Sequence, residues 1–248
     1  MPRQDSPASK PGSRLDTAGR SVSNKILCSL PDDEYEAIRP HLEFLRLPDR
    51  YTLHEPSDKL RFAHFPNSGL ISLLVATEDG KTVEAGVVGS EGFAGIPLAV
   101  GITKSPLREV ALISTDGFKV GAQAMFRILE STPHLQMTLS RYAVVQGMQI
   151  AQTVACNRLH RIEQRLARWL LMAQDRVNST LVAMTHDSLA TLLGTNRPTV
   201  SYAAGILQER KSIQYRRGAV KIVSRKRLET SACECYRVIR KFDSEVGL

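Results

Sequence analysis

Leu70 to Thr77 and Lys81 to Val88 are two short apolar-rich runs held apart by Asp79-Gly80. In the second run Val83, Ala85 and Val87 alternate with Thr82, Glu84 and Gly86, the period-two pattern of a strand with one apolar face. Asp-Gly supplies the positive φ angles of a tight type I′ turn, so the pair is predicted to be a β-hairpin. The same pattern runs from residue 24 to about 120, where Pro48, Pro66, Gly69, Gly89, Gly95 and Pro106 are among the breaks that keep every apolar run short. Short strands at this spacing predict a barrel, sandwich or jelly roll.

The period changes from Gly121 onward. Leu135, Leu139, Tyr142 and Val145 recur at spacings of four and three, and no proline interrupts the chain between Pro133 and Pro198. This predicts a long helix starting near Pro133. Its stripe continues into Met148, Gln149, Gln152 and Ala155, a semi-polar seam that suits either a dimer contact or packing on the chain's own barrel. A second amphipathic helix is predicted through Leu159, Ile162, Leu166, Trp169 or Leu170, and Ala173, with the intervening arginines on its solvent side. Asn157 to Arg161 is the expected hinge between them.

The strongest local signal is THDSLATLLGTNRPTVSYAAGIL, from Thr185 to Leu207. Thr185 precedes a short helix with Leu189, Ala190 and Leu193 on one face. Gly194 supplies a tight turn, and Asn196 caps a second helix whose first turn accommodates Pro198. Two helices joined by such a turn form a helix-turn-helix. Val200, Ala203 or Ala204, and Leu207 make the packing side of the second helix. Arg197, Thr199, Ser201 and Tyr202 are left to project outward, as a recognition helix presents itself to a major groove. Arg197 is the first candidate base reader, because its planar fork matches guanine O6 and N7. Asn196, Thr185 and His186 join the candidate DNA-binding set at the helix starts, by capping or phosphate contact. Ser212 to Tyr215 and Ala219 to Val223 then read as two short strands joined by Arg216-Arg217-Gly218, a wing whose two arginines suit phosphate contact.

Charge sharpens the division. The chain of 248 residues is 42% hydrophobic, 23% charged and 6% aromatic, a globular composition long enough for two ordinary domains. Of its net +8, the segment from Arg158 to Arg227 carries 14 basic and four acidic residues, a net +10, and the remainder sums to −2. That is the footprint of a nucleic-acid-binding module joined to a nearly neutral one. No apolar run reaches the roughly 18 residues of a membrane span, the first twenty residues lack an apolar signal core, and four scattered cysteines suit a reducing compartment. A cytoplasmic location without membrane contact is expected. GVVGSEGFAG has the wrong spacing for a dinucleotide or P-loop fingerprint, the histidines lack metal spacing, and no nucleophile–base pair is evident, so catalysis is not expected. Cys233-x-Cys235 is not a common zinc spacing and does not combine with Cys28 into a ligand set. Packing cysteines, no metal and no cofactor are the expectation.

The stretch LATLLGTNRPTVSYAAGILQERKSIQYRRGAVKIVSRKRLE resembles the DNA-binding winged helix of the Crp-Fnr family of bacterial transcription regulators, whose pattern is a leucine-rich helix, Gly, Arg-x-x-Val-Ser and a wing ending in Ile or Val. QRLARWLL, from Gln164 to Leu171, is similar to the helix that opens that family's C-terminal domain. FPNSGLISLLVATEDGKTVEAGVVGSEGFAG, from Phe65 to Gly95, is similar to its cyclic-nucleotide-binding-type β-roll. The resemblance spans Asn24 to Leu228 and implies an α+β chain: a disordered tail (1–22), a β-roll or jelly-roll sensor domain (23–132), a dimerisation helix (133–157), a winged helix-turn-helix (158–228) and a C-terminal helix (229–248).

By the same resemblance the chain is a homodimer on a palindromic operator in double-stranded DNA, with RNA polymerase as a partner and an unidentified small-molecule effector in the roll. Its cyclic-nucleotide features are not intact. Gly95-Ile96 stands where Gly-Glu belongs, and Arg108 is followed by Glu109 rather than a small residue and Ala, so cyclic nucleotide binding is not expected. Glu91 reads as a turn residue facing water. Only Cys28 is available in the half where iron–sulfur members of the family cluster their cysteines. Tyr202 and Pro198 replace residues common in the recognition helix, which predicts an altered half-site. The competing reading, a cyclic-nucleotide-responsive regulatory subunit acting on another protein, leaves the basic wing without purpose.

Overall fold

The computed structural model describes residues 14–245. A hairpin of β1 (Arg14–Leu15) and β2 (Ser21–Val22) leads into α1 (Lys25–Ser29) and α2 (Asp32–Ile38). There follow β3 (Glu43–Leu47), β4 (Tyr51–His54), β5 (Phe62–Pro66), β6 (Leu70–Ala76), β7 (Thr82–Val88), β8 (Arg108–Ile113) and β9 (Thr115–Gly121). Helices α3 (Ala122–Leu129), α4 (Pro133–Leu159) and α5 (Ile162–Val177) come next, then β10 (Leu181–Val182), α6 (His186–Leu192) and α7 (Arg197–Glu209). The chain closes with β11 (Ile213–Arg216), β12 (Ala219–Ile222), α8 (Arg225–Ser231) and α9 (Cys235–Glu245). The change of architecture after Gly121 is the one the hydrophobic period predicts.

The described residues form two compact units, one running to Ile71 and from Val88 to Val145, the other made of Ser72–Val87 and the chain from Gln146 onward. In the first unit β9 lies between β3 and β5, antiparallel to both, and aligns Phe118 with Phe44 on one side and Phe65 on the other. Strand β4 pairs antiparallel with β8 through a bulge between Thr52 and His54. Phe65, Phe93 and Tyr142 are fully buried and in ring contact, with centroids 5.7 and 5.6 Å apart. A side chain at Gly92 would meet the Tyr142 ring at 2.0 Å, so only hydrogen fits there.

One sequence expectation is corrected in this unit. Residues 14–22, expected in a disordered tail, are an ordered hairpin; residues 1–13 of that tail lie outside the described residues. The Asp16 carboxylate accepts from the backbone of Ala18 and Arg20 at 3.0 and 2.7 Å, Val22 is buried, and the Arg14 guanidinium sits 4.2 Å over the Tyr35 ring while donating to the Leu30 carbonyl. Composition hid these anchors because a Pro-Ser-Gly-Arg-rich stretch needs only a few buried contacts to be fixed. In α4 the predicted stripe of Leu135, Leu139, Tyr142 and Val145 is buried against the chain itself. The exposed apolar residues of α4 are Met137, Val144, Met148, Val154 and Leu159.

In the second unit the β6–β7 hairpin turns as expected at Asp79-Gly80, but not through a type I′ turn. Only Gly80 is left-handed (φ +80°), Asp79 is not, and the Gly80 N–H donates to the Thr77 carbonyl at 2.9 Å. This is the longer loop in which a type I turn is followed by a left-handed glycine. Strand β7 carries Glu84, which is buried and accepts from Ser72 Oγ at 2.6 Å and from the Trp169 indole N–H at 2.7 Å. Helix α5, which supplies Trp169, is buried from Leu166 through Ala173, wider than the predicted stripe. Its arginines are therefore not all on a solvent side: Arg168 is buried and donates to Thr153 Oγ1 at 3.2 Å. Leu159, predicted to belong to that stripe, is exposed on the last turn of α4. Strand β12 pairs with both β10 and β11. Asp175 of α5 joins Arg225 of α8 and Tyr236 of α9, each at 2.8 Å. The expected C-terminal helix corresponds to α9, and α8 precedes it across the end of the winged segment.

Candidate nucleic-acid interface

Helices α6 and α7 are set in place by their caps. Thr185 Oγ1 accepts from the Ser188 N–H at 3.1 Å, and Asn196 Oδ1 accepts from the Thr199 N–H at 2.9 Å, each satisfying a donor the helix start leaves open. Asn196 Oδ1 also accepts from Thr199 Oγ1 at 2.7 Å, which commits that hydroxyl hydrogen to the cap. Gly194 (φ +60°) makes the turn between the helices, and Arg165 of α5 donates to the Leu193 carbonyl beside it. Val200, Ala203, Ala204 and Leu207 are buried, so both alanines belong to the packing side.

The opposite side of α7 presents Arg197, Ser201 and Tyr202, the last 68% exposed. Arg197 stands 3.5 Å from Asp187 at the start of α6, with both side chains two-thirds exposed. A surface pair of this kind is worth only about 0–1 kcal/mol, so the guanidinium can exchange it for another acceptor at little cost. His186 and Ser201 bond one another, Nδ1 to Oγ at 2.9 Å, and the imidazole lies 3.9 Å from the Tyr215 ring. Burial first, then the positive Arg197, lowers the His186 pKa, so the ring is neutral at neutral pH. His186 thereby joins α6, α7 and β11. In the wing, Arg216 pairs with Ala219, Gly218 (φ +78°) turns the chain, and Arg216 and Arg217 are exposed. Gln208 Oε1 accepts from the Tyr215 N–H at 2.8 Å, tying the wing to α7. Asp187, Gln208 and Tyr215 are partners that sequence reasoning missed; only the neighbourhood of a charged pair across the turn hints at the first.

A cavity of about 730 Å³ opens in the first unit beside His54, Glu55, Arg61, His64, Glu109 and Lys119. Arg108 is held by Glu55 through two hydrogen bonds of 2.8 and 2.7 Å, which lower the Glu55 pKa. Glu109 is buried, accepts from the Gly95 N–H at 3.1 Å, and has its pKa pushed up to about 7 by that burial. Glu91, read from the sequence as facing water, is half-buried and accepts from the Gly89 N–H at 3.1 Å. Away from this cavity, Cys233 and Cys235 meet Cys156 and His160 rather than Cys28. The sequence signal for that grouping was Cys156-x-x-x-His160, one helical turn apart at the end of α4.

Residues 164–231 match the Crp-like helix-turn-helix domain. No curated protein matches the chain in sequence. Among solved structures the chain is similar to FixK2 from Bradyrhizobium japonicum, with a TM-score of 0.66 and 14% identity over 77% of this chain and 98% of that one. It is similar to CLP from Xanthomonas campestris, a c-di-GMP-responsive global regulator that links cell–cell signalling to virulence gene expression, with a TM-score of 0.64 and 15% identity over 78% of this chain and 100% of that one. A CRP-family transcriptional regulator from Thermus thermophilus gives a TM-score of 0.62 and 19% identity over 76% of this chain and 96% of that one. The likeness establishes the fold, antiparallel sheets of an N-terminal β-sandwich followed by the helix-turn-helix domain. No helix among the described residues is long and apolar enough to cross a membrane.

Proposed function

We propose, from the premise that residues 164–231 are a Crp-like helix-turn-helix domain on a Crp/Fnr-type fold, that this chain is a sequence-specific, non-catalytic transcription regulator of double-stranded DNA. The observation that carries the proposal is the two-sided character of α7: an apolar face locked into the domain, and an outward face of Arg197, Ser201 and Tyr202 flanked by the basic wing. Arg197 reads a base edge, Tyr202 contacts a thymine methyl or a phosphate, and Arg216 and Arg217 grip the strand. Asn196, Thr185, Thr199, His186 and Ser201 hold the reading surface in shape, their own hydrogen bonds being made to one another and to the helix starts. Affinity for genomic fragments measured against random duplex over a salt series tests this. Preference for particular fragments, with binding that falls as salt rises, is expected, and sequence-blind binding contradicts it. Arg217→Ala is expected to weaken all duplexes alike and to reduce the salt slope by about one.

The regulator acts as a homodimer in the cytoplasm, reading half-sites of a palindrome about 34 Å apart and engaging RNA polymerase nearby. Support for the dimer lies in the exposed apolar residues of α4, where Val144 and Met148 are 58% and 50% exposed and lie one helical turn apart. Val144→Glu with Met148→Glu is expected to yield monomers by sedimentation and to lose operator binding; an unchanged dimer removes this helix from the interface. An effector occupies the cavity of the roll. Glu109 and the engaged Arg108 disfavour a cyclic phosphate there, since the phosphate would meet a buried carboxyl beside a guanidinium already held by Glu55.

A further inference from the structure

We propose that Cys156, His160, Cys233 and Cys235 form a binding site for a single zinc ion, a tetrahedral set of three thiolates and one imidazole. Their four candidate donor atoms all lie within 4.8 Å of one another. Cys156 Sγ is 3.5 Å from Cys233 Sγ, and Cys235 Sγ is 3.6 Å from His160 Nδ1. Zinc–sulfur bonds of about 2.3 Å and zinc–nitrogen bonds of about 2.0 Å at tetrahedral angles require donor separations of roughly 3.5–3.8 Å. Both of these pairs already have about that separation. Cysteines that ligate different irons of a cluster sit farther apart, so the spacing selects one ion over an iron–sulfur cluster. The Cys156–Cys233 separation also exceeds a disulfide bond of about 2.05 Å, and both cysteines are free.

The surroundings fit a metal better than they fit packing. Cys156, Cys233 and Cys235 are at most 3% exposed and form a cluster of buried residues containing only cysteine. Ordinary core would surround a buried thiol with aliphatic carbon. His160 turns Nδ1 toward Cys235 and bonds Glu234 Oε1 through Nε2 at 3.1 Å. A carboxylate on the far nitrogen is the arrangement that fixes a ligating imidazole's tautomer and raises its basicity. Gln152 donates to Cys235 Sγ at 3.0 Å, a bond that a thiolate accepts more strongly than a thiol. Cys156 lies in the last turn of α4 with His160 just past its end, and Cys235 opens α9 with Cys233 just before it, so one ion would clip the last helix to the long one. On binding, each thiol releases its proton to solvent and the imidazole coordinates in its neutral form, with no redox change.

The test uses the full-length chain, purified without a polyhistidine tag under reducing conditions. Elemental analysis is expected to find one zinc per chain that survives dialysis. Replacement by cobalt(II) is expected to give the intense visible absorption of tetrahedral cobalt with a thiolate charge-transfer band in the near ultraviolet. Cys156→Ser and Cys235→Ser should each lower zinc affinity by at least tenfold, Glu234→Gln by about 10–100-fold, and Cys28→Ser not at all. The wild-type stoichiometry and cobalt spectrum decide the matter even if a cysteine variant fails to fold. A metal-free chain with no tetrahedral cobalt spectrum overturns the proposal. So does stoichiometric iron with sulfide, or a Cys156–Cys233 disulfide in the freshly prepared protein.

Discussion

Glu84→Gln is expected to make the protein more stable than the wild type at mildly alkaline pH and to flatten its stability profile. Glu84 is fully enclosed, and burial raises its pKa from 4.5 to about 7 despite hydrogen bonds from Ser72 and Trp169 that pull the other way. A carboxyl whose folded pKa lies above its unfolded one contributes its full stability below the unfolded value. It loses that contribution as pH rises through the folded pKa, because the unfolded chain gives up the proton first. The window is therefore about 4.5 to 7, and the loss across it is on the order of 3 kcal/mol. Glutamine has no proton to lose and retains an oxygen for the indole N–H and an amide that Ser72 Oγ can accept from. Urea unfolding of both proteins at about pH 5 and about pH 8 checks this. The wild type should lose stability between the two relative to the variant. Parallel curves would mean that Glu84 titrates as an ordinary carboxylate. Glu109, also raised to about 7, contributes with the same sign in both proteins and does not obscure the comparison.

Arg197→Ala is expected to cost about 1–3 kcal/mol on the preferred duplex, while leaving affinity for random duplex much closer to the wild type. The arginine is two-thirds exposed and its partner Asp187 equally so, hence the fold should be indifferent to its loss. Discrimination should relax at one base pair per half-site, read by substituting each position in turn. Equal losses on specific and random DNA would make Arg197 a phosphate contact and move base reading elsewhere on α7.

The helix-turn-helix was legible because its determinants are local. Thr185 and Asn196 cap the helices they precede, Gly194 takes the left-handed turn, and the apolar residues of α7 fall on one side within thirteen residues. The wing was legible for the same reason, with Gly218 placing the turn between two short strands. Distance along the chain marks where legibility fails. Glu84 meets Trp169 across 85 residues, and Cys156 meets Cys233 across 77, separations at which no local pattern encodes a partner. Helix α4 was legible as a helix from its stripe, but it is apolar on two sides, and periodicity alone does not say which one the chain buries. Arg168 is the counterpart on α5, a charged residue that looked solvent-facing and is enclosed with Thr153 and Met172. The Asp79-Gly80 turn was located correctly and typed wrongly, since the same dipeptide serves a loop in which glycine alone is left-handed.

The central claim, that α7 reads base edges in a duplex, is tested most directly by photo-crosslinking. A benzophenone-bearing phenylalanine placed at Tyr202, which is 68% exposed on the outward face, can be irradiated on a duplex selected from genomic fragments. Crosslinks to bases at one position in each half-site are predicted, and weakened in Arg197→Ala as discrimination relaxes at one base pair. Crosslinks that are absent, or spread evenly along any duplex offered, would contradict the claim.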